Sequence, residues 1–552
     1  MWCGTMVNVR WCKFSNCPKG YRNLSLSTKN NKDCYFITTP IFYVNASPHL
    51  GHLYTAVIAD ALQRFQRLVY GTKCIFSTGT DEHGTKVQQA AASAKMDVPT
   101  YCTYISNKYK ATFHQFDVGF TDYVRTTDER HKAAVEHFWN DLRKGGYIYK
   151  GQYHGWYCVS DETFLAASQL REEVGRDGSL CKVSVESGQP AEFTVEDNYM
   201  FRLSNFQQDL LHWLRDENSV QPSKFRKQLE KMVHEGSVLQ DLSISRPRER
   251  VPWGIPVPDD PNHTVYVWLD ALVNYLTVTG YPEHDFAWPP DVQVVGKDIL
   301  KFHGVYWPAF LIAAGLQPPR TLLCHSHWTV DGEKMSKSRQ NVVDPAALIH
   351  DFTSCGVRYL LLREGVPHSD GNYSTTKAVR ILNSELADTL GNLLNRCCGM
   401  AINPDQIYPQ FCDDTYRQYC VHNGAKLKDR ATHLAGVVKE HFEEFNFHRA
   451  IDTIIGTLHE ANRFFELQRP WEAHREKRNA EIHMVMETLR VSSVLLLPIA
   501  PRLAEQVLDR LGTPPSARDW ASLQTLSWSG GNIGGWKLGT DRSALFRRLQ
   551  FK

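Results

Sequence analysis

No uninterrupted apolar run in this chain is long enough to cross a bilayer, which takes about 20 residues, so no membrane partner is expected. None of the 14 cysteines pairs with another at C-x-x-C spacing. Thiols scattered in this way suit a reducing compartment and argue against a disulfide framework. Net charge is scarce too: 62 basic against 60 acidic residues leave +2. That balance decides nothing about nucleic acid, because a binder can confine its basic groups to one face. No internal repeat is present. Acidic residues are missing from the first 32 positions, which carry Arg10, Lys13, Lys19, Arg22, Lys29 and Lys32 among Ser15, Ser25, Ser27 and Thr28. No secretory hydrophobic core accompanies them. This composition predicts a mitochondrial transit peptide over 1–32, delivery to the mitochondrial matrix, and a folded part beginning near Cys34.

What is there is an ordinary globular composition, 42% hydrophobic and 22% charged over 552 residues, enough for more than one domain. Two short motifs stand out. His49-Leu50-Gly51-His52 lies between a β-prone run, Phe36–Thr39, and a helical pattern in which Val57, Ile58, Leu62, Phe65 and Val69 recur until Gly71. The histidines therefore flank a helix N-terminus, where free N–H groups and the helix dipole favour anions. Gly51 lets a nucleotide lie close to the backbone. Lys334-Met335-Ser336-Lys337-Ser338 follows the turn signal Asp331-Gly332 and offers two ammonium groups and two hydroxyls on a loop. Either motif alone is a weak signal; together, in this order, they point to a triphosphate.

The remaining periodicity outlines the architecture. Strand signals at Phe36–Thr39 and Lys73–Gly79 alternate with helical stretches near 53–70 and 128–144, the pattern of βαβ units and a parallel sheet. Tyr147 to Arg250 is irregular and charge-rich and reads as an inserted module. Sheet signals return at Thr264–Leu269 and Val292–Val295, with helical stretches at Ala271–Leu276 and Ile299–Ala314. Thr376–Lys439 and Phe447–Leu511 show long helical periodicity, and Gly512 offers a stop. The end of the chain is loop-like, with a short segment at Ala544–Phe551.

These residues resemble the class I aminoacyl-tRNA synthetases, and more narrowly the methionyl enzymes. Beside HLGH and KMSKS, the narrower likeness rests on Thr38-Thr39-Pro40-Ile41-Phe42-Tyr43-Val44-Asn45, Thr78-Gly79-Thr80-Asp81-Glu82-His83-Gly84, Trp253-Gly254-Ile255-Pro256, Tyr266-Val267-Trp268-Leu269-Asp270-Ala271, Gly296-Lys297-Asp298-Ile299 and Phe302-His303. The resemblance implies an α/β fold: a Rossmann-type parallel-sheet catalytic domain (33–146 and 251–345) split by a connective insertion (147–250). After it come a linker or stem-contact region (346–375), an all-α anticodon-binding bundle (376–530) and a tail (531–552). It implies that methionine and ATP give methionyl-adenylate, and that the methionyl group then passes to tRNA(Met).

Adenylation is an in-line attack by a carboxylate on the α-phosphorus, so it needs alignment and charge stabilisation rather than a protein nucleophile. By resemblance His49, Gly51 and His52 hold the phosphates, with Lys334, Ser336 and Lys337 at the departing pyrophosphate. Gly296 and Asp298 fall at the ribose, and His325 and Trp328 near the adenine. Mg²⁺ is expected on substrate oxygens. The methionine pocket falls on Ile41, Tyr43, Trp268, Ala271, Tyr275, Phe302, His303 and Trp307, whose aromatics suit a polarizable thioether, while Asp81 pairs with the α-ammonium. For Phe302 and Trp307 the competing reading is plain core packing. Asn392 and Arg396, four apart on one helix face, and Trp471 would meet the anticodon.

Methionyl enzymes often carry zinc in the insertion. Here Cys158 is followed three positions on by Asp161, and Cys181 by Ser184. Two thiols do not fill a tetrahedral structural site, so no structural zinc is expected. Dimeric relatives carry an extra C-terminal barrel, so a monomer is expected here. A nucleotidylyltransferase shares the H-x-G-H grip but needs no anticodon region. A catalytically dead tRNA binder would not need both histidines, Asp81 and both lysines.

Overall fold

The computed structural model describes residues 34–158, 163–165, 169–174, 180–185, 188–236, 238–283, 287–330, 332–335 and 341–550. The expected transit segment, Asp161, Ser336 and Lys337 lie outside the described residues, as do the side chains of Thr163 and Lys334.

β1 (Cys34–Tyr43) leads through a loop into α1 (Leu50–Tyr70), then β2 (Lys73–Asp81), β3 (Asp122–Arg125) and α2 (Glu129–Lys144). Two helices that the periodicity did not reveal, Thr85–Ser93 and Val98–Gln115, join β2 to β3. β4 (Val220–Gln221), β5 (Val292–Gly296) and β6 (Thr321–His325) complete a six-stranded parallel sheet in the order β3-β2-β1-β5-β6-β4. Strand order reverses at β1, and doubly wound sheets bind ligands at the carboxyl ends beside such a reversal. Pro40 sits inside β1 at a register shift between Thr38 and Ile41, and a bulge is where a strand tolerates proline. Pairing with β5 ends at Thr38. Ile41–Tyr43 therefore follow β2 alone, and β1 and β5 part at the reversal.

The segment expected as an insertion folds around a long antiparallel pair, Ile148–Cys158 with Glu192–Phe201. It also contains the hairpin Leu170–Val174 with Leu180–Ser184, and it lends β4 to the parallel sheet. Its charge is partly internal: Arg246 clasps Glu196 at 2.6 and 2.7 Å in the buried interior. The expected strand Thr264–Leu269 stops at Val265, and α3 (Val267–Leu272) takes over, so Trp268 and Leu269 are helical. β-branched and aromatic composition misleads there because tertiary burial overrides it. Ile299–Ala314 is helical but not uniform: a π-type turn, Phe302–Tyr306, precedes the helix Trp307–Ala313.

Residues 346–375, expected as a linker or stem-contact region, are mostly α4 (Pro345–Glu364), capped by Asp344. Its Val357 and Tyr359–Leu362 are buried in the main core. Thr353, at φ 63°, breaks its helical geometry and so its periodicity. Beyond lie Thr375–Leu382, α5 (Asn392–Cys398), the helix Val421–Glu443, α6 (Phe447–Gln468), α7 (Arg475–Leu496) and Pro501–Arg510. Gly512, at φ 66°, ends the last of these. The loop-like end of the chain is packed down, with Ile533, Leu538 and Phe546 buried.

One side chain joins these parts. Arg358 of α4 is fully buried and reaches Asp60 of α1 at 2.7 Å. It also donates to the carbonyls of Phe116 at 3.0 Å, Pro498 at 3.2 Å and Ile499 at 3.0 Å. Burial pushes the Asp60 carboxyl up, but Arg358 and then Arg64 outweigh it and hold it below its usual range.

Candidate active site

His49 caps α1: its Nδ1 accepts from the Gly51 N–H at 3.1 Å, and its own N–H donates to His52 Nδ1 at 3.2 Å. Tyr109 adds its hydroxyl to the same His52 nitrogen at 3.1 Å. Each Nδ1 is thus an acceptor, which leaves Nε2 of both rings carrying the proton. The rings stack at 3.6 Å. Burial, then the neighbouring His49, holds His52 well below the usual histidine range. His52 therefore sits at the positive end of a helix as a neutral N–H donor, with the His49 ring stacked beside it. A Cβ at Gly51 would stand 3.0 Å from the His49 ring, so that residue is fixed by space as well as by access.

The KMSKS segment reaches the same place. Glu333–Lys334 pairs antiparallel with Trp328–Val330, and Met335 packs against the main core. Downstream, the Leu50 N–H, next to His49, donates to the Val343 carbonyl at 3.1 Å.

Tyr43, Asp81, Gly296 and His325 each end a parallel strand, so they line the carboxyl edge. His325 donates from Nδ1 to the Ser326 carbonyl at 2.9 Å and meets the Thr55 hydroxyl at 2.8 Å through Nε2. Burial pushes its pKa down to about 4, so it is neutral and tied to α1. A Cβ at Gly296 would lie 2.7 Å from Asp298 Oδ1, and Asp298 faces His327 at 3.2 Å. Trp328 is buried edge-on against Tyr54, a wall rather than an open stacking plane.

The expected methionine residues gather nearby. Trp268 stacks on Phe302 at 3.6 Å. Tyr275 donates to His303 Nε2 at 2.8 Å, and His303 Nδ1 donates to the Ile299 carbonyl at 3.0 Å. Burial pushes His303 down to about 4, so this bridge is neutral. Trp307 is fully buried against Tyr275, Phe138 and Trp288. Ile41, Asp81 and Ala271 are buried, and Tyr43 is half-buried.

Sequence reading missed the group that binds these walls together. Asp270 Oδ2 accepts from His83 Nδ1 at 2.6 Å and Oδ1 from His131 Nε2 at 2.8 Å. Burial pushes the carboxyl up, but His83 and His131 outweigh it and keep it below its usual range. His131 lies on the stripe Ala134, Val135, Phe138 and Leu142 that α2 buries, so its place in an apolar pattern was the available signal.

The expected anticodon residues lie in the helical region. Arg396 stacks over Phe465 at 4.5 Å and lies 5.6 Å from the Trp471 ring, and it pairs with Glu466 at 2.6 Å. Trp471 is 43% exposed, and Asn392 is exposed at the start of the same helix as Arg396. In the insertion, Cys158 is buried with Leu165 and Ala191, while the Cys181 thiol meets the Glu173 carbonyl at 3.4 Å. Among the described residues no three His, Cys, Asp or Glu side chains are grouped to hold a metal.

A doubly wound parallel sheet with HLGH capping the helix at its strand reversal, in a chain that also carries KMSKS, is the framework of a class I aminoacyl-tRNA synthetase. Residues 35–398 match the family model described as tRNA synthetases class I (M). The chain is 47% identical to the mitochondrial methionine–tRNA ligase of Xenopus laevis, over 94% of this chain and 93% of that one. It is 44% identical to the Homo sapiens mitochondrial methionine–tRNA ligase, over 96% and 94%. It also matches a Mycobacterium tuberculosis methionyl-tRNA synthetase in complex with methionyl-adenylate, at a TM-score of 0.85 and 36% identity, covering 93% of this chain and 100% of that one. The chain belongs to the methionine–tRNA ligases of class I.

Proposed function

We propose that the protein activates L-methionine with ATP to methionyl-adenylate and transfers the methionyl group to tRNA(Met) for mitochondrial translation. The observation that supports this best is the His49–His52 cap at the helix N-terminus beside the strand reversal, with the Leu50 N–H bonded to the carbonyl of Val343, downstream of the KMSKS motif. His49 and His52 donate from Nε2 to the phosphates as the methionine carboxylate attacks the α-phosphorus. Lys334 and Lys337 neutralise the pyrophosphate as the P–O bond to it breaks, with Ser336 beside them. Gly296 and Asp298 take the ribose, and His325 and Trp328 bound the adenine. Asp81 holds the α-ammonium, while Ile41, Tyr43, Trp268, Ala271, Tyr275, Phe302, His303 and Trp307 enclose the thioether. Asn392, Arg396 and Trp471 read the anticodon. Mg²⁺ would be bound by phosphate oxygens and water, since among the described residues no group of three His, Cys, Asp or Glu side chains could hold it.

In this reading 33–146 and 251–345 are the catalytic domain, 147–250 the insertion and 376–530 the anticodon region. The basic, acid-free segment 1–32 supports delivery to the matrix. The test is methionine-dependent ATP–pyrophosphate exchange and tRNA(Met) charging by His52→Ala and Lys337→Ala. Each should lose about 100–1000-fold, the effect of one transition-state donor. Wild-type rates in both would refute the assignment.

A further inference from the structure

We propose that Asp270 is a positioning residue for methionine recognition: its carboxylate, clamped by His83 and His131, fixes the separation between Asp81 and the aromatic wall on α3. This deepens the function just given and rests on it. Asp270 is fully buried and lies on a different face of α3 from Trp268 and Ala271, which stand three apart. One oxygen holds His83, two residues beyond the end of β2 where Asp81 sits; the other holds His131 on α2. The second nitrogen of His131 meets the Thr277 hydroxyl at 2.9 Å, which bonds the Val273 carbonyl at 3.2 Å. Through that link the clamp also grips the short helix Asn274–Val278 that carries Tyr275.

The strand end is itself held. The Val44 N–H donates to the Asp81 carbonyl at 3.0 Å, and the Gly84 N–H to the Trp253 carbonyl at 3.1 Å. The strand end that carries Asp81 therefore hangs on one arm of the carboxylate and the helix of Tyr275 on the other, while Trp268 shares the helix of Asp270 itself. A buried charge held by two rings is a weak source of stability compared with an apolar residue of the same size. It is a strong source of geometry, because a two-oxygen acceptor admits few separations between its donors.

The test measures the KM of methionine and the KM of ATP in pyrophosphate exchange by the full chain. Asp270→Ala should raise the methionine KM by about 10–100-fold, the effect of displacing a binding wall by about 1 Å, with the ATP KM unchanged. Asp270→Asn keeps the size and can bridge both rings, so it should recover most of the loss. His83→Gln cuts only the arm to β2 and should raise the methionine KM alone. If Asp270→Ala does not fold, His83→Gln decides by the same criterion. Equal rises in both constants, or an unchanged methionine KM, overturn the proposal. Wild-type enzyme without methionine-dependent exchange would instead overturn the activity assignment.

Discussion

Glu481, on α7, offers a quantitative check on the helical region. The residue is fully buried, and neither carboxyl oxygen has a hydrogen-bond partner among the described residues. The nearest cation is Lys477, 3.7 Å away. The neighbouring Cys420 thiol is itself pushed up to about 12 by burial, so it stays neutral. Burial raises Glu481 from 4.5 to about 7, against the pull of Lys477. Below 4.5 both folded and unfolded chains hold the proton. Between 4.5 and 7 the unfolded chain ionises while the folded one does not, so stability falls as pH rises, and the loss is complete above 7. At pH 8 the folded state carries a penalty of about 3 kcal/mol. Glu481→Gln mimics the protonated acid and removes that penalty. Its advantage over wild type should grow by about 2–3 kcal/mol from pH 5 to pH 8, a gain of about 2–3 °C in Tm for a chain of this size. Thermal unfolding of both proteins across that range measures it. A difference independent of pH would refute the reasoning.

Other consequences can be checked as directly. Arg358→Met leaves the Asp60 carboxylate buried without its fully buried cation, with the partly exposed Arg64 still beside it, and should cost about 3–5 kcal/mol in stability; a Tm within about 1 °C of wild type would contradict the role given to Arg358. Arg396→Ala and Trp471→Ala should weaken tRNA(Met) charging by about 1–3 kcal/mol each, the worth of one stacked base, while pyrophosphate exchange stays unchanged. Equal losses in both assays would remove these residues from the anticodon. A zinc-selective chelator should leave Tm and exchange unchanged, because the insertion offers two thiols where a structural site needs four ligands. A chelator-induced drop in Tm would show otherwise.

How far the fold could be read in advance depended on whether each residue did what its chemistry favours. The helix after HLGH was legible because Val57, Ile58, Leu62 and Phe65 recur with the helical period and Gly71 ends it at φ 62°. HLGH and KMSKS stand out in the sequence as residue types that few other segments combine. Asp60, Asp270, His131 and Arg358 were not, because a charged or polar residue is assigned to the surface unless its partner is known. Each has a decisive partner more than 100 positions away in sequence, as with His131 and Asp270, Arg358 and Phe116, or Asp60 and Arg358. The helical period of α4 is hard to read from sequence because Thr353 interrupts it. The Trp268 segment passed for a strand because its aromatic and β-branched residues are covered by tertiary contacts, and those follow topology rather than local period.

The carbonyls that receive the Arg358 guanidinium come from Phe116, in the catalytic half, and from Pro498 and Ile499, between two helices of the far half. A gene fragment ending after α4 would keep the cation and Asp60 but strip away two of those three acceptors, uncovering the back of the helix that begins with HLGH. The two halves are thus poorly separable as inherited or engineered modules: swapping the helical part from another lineage requires the Pro498–Ile499 turn to come along in register, or the HLGH end of α1 loses its footing.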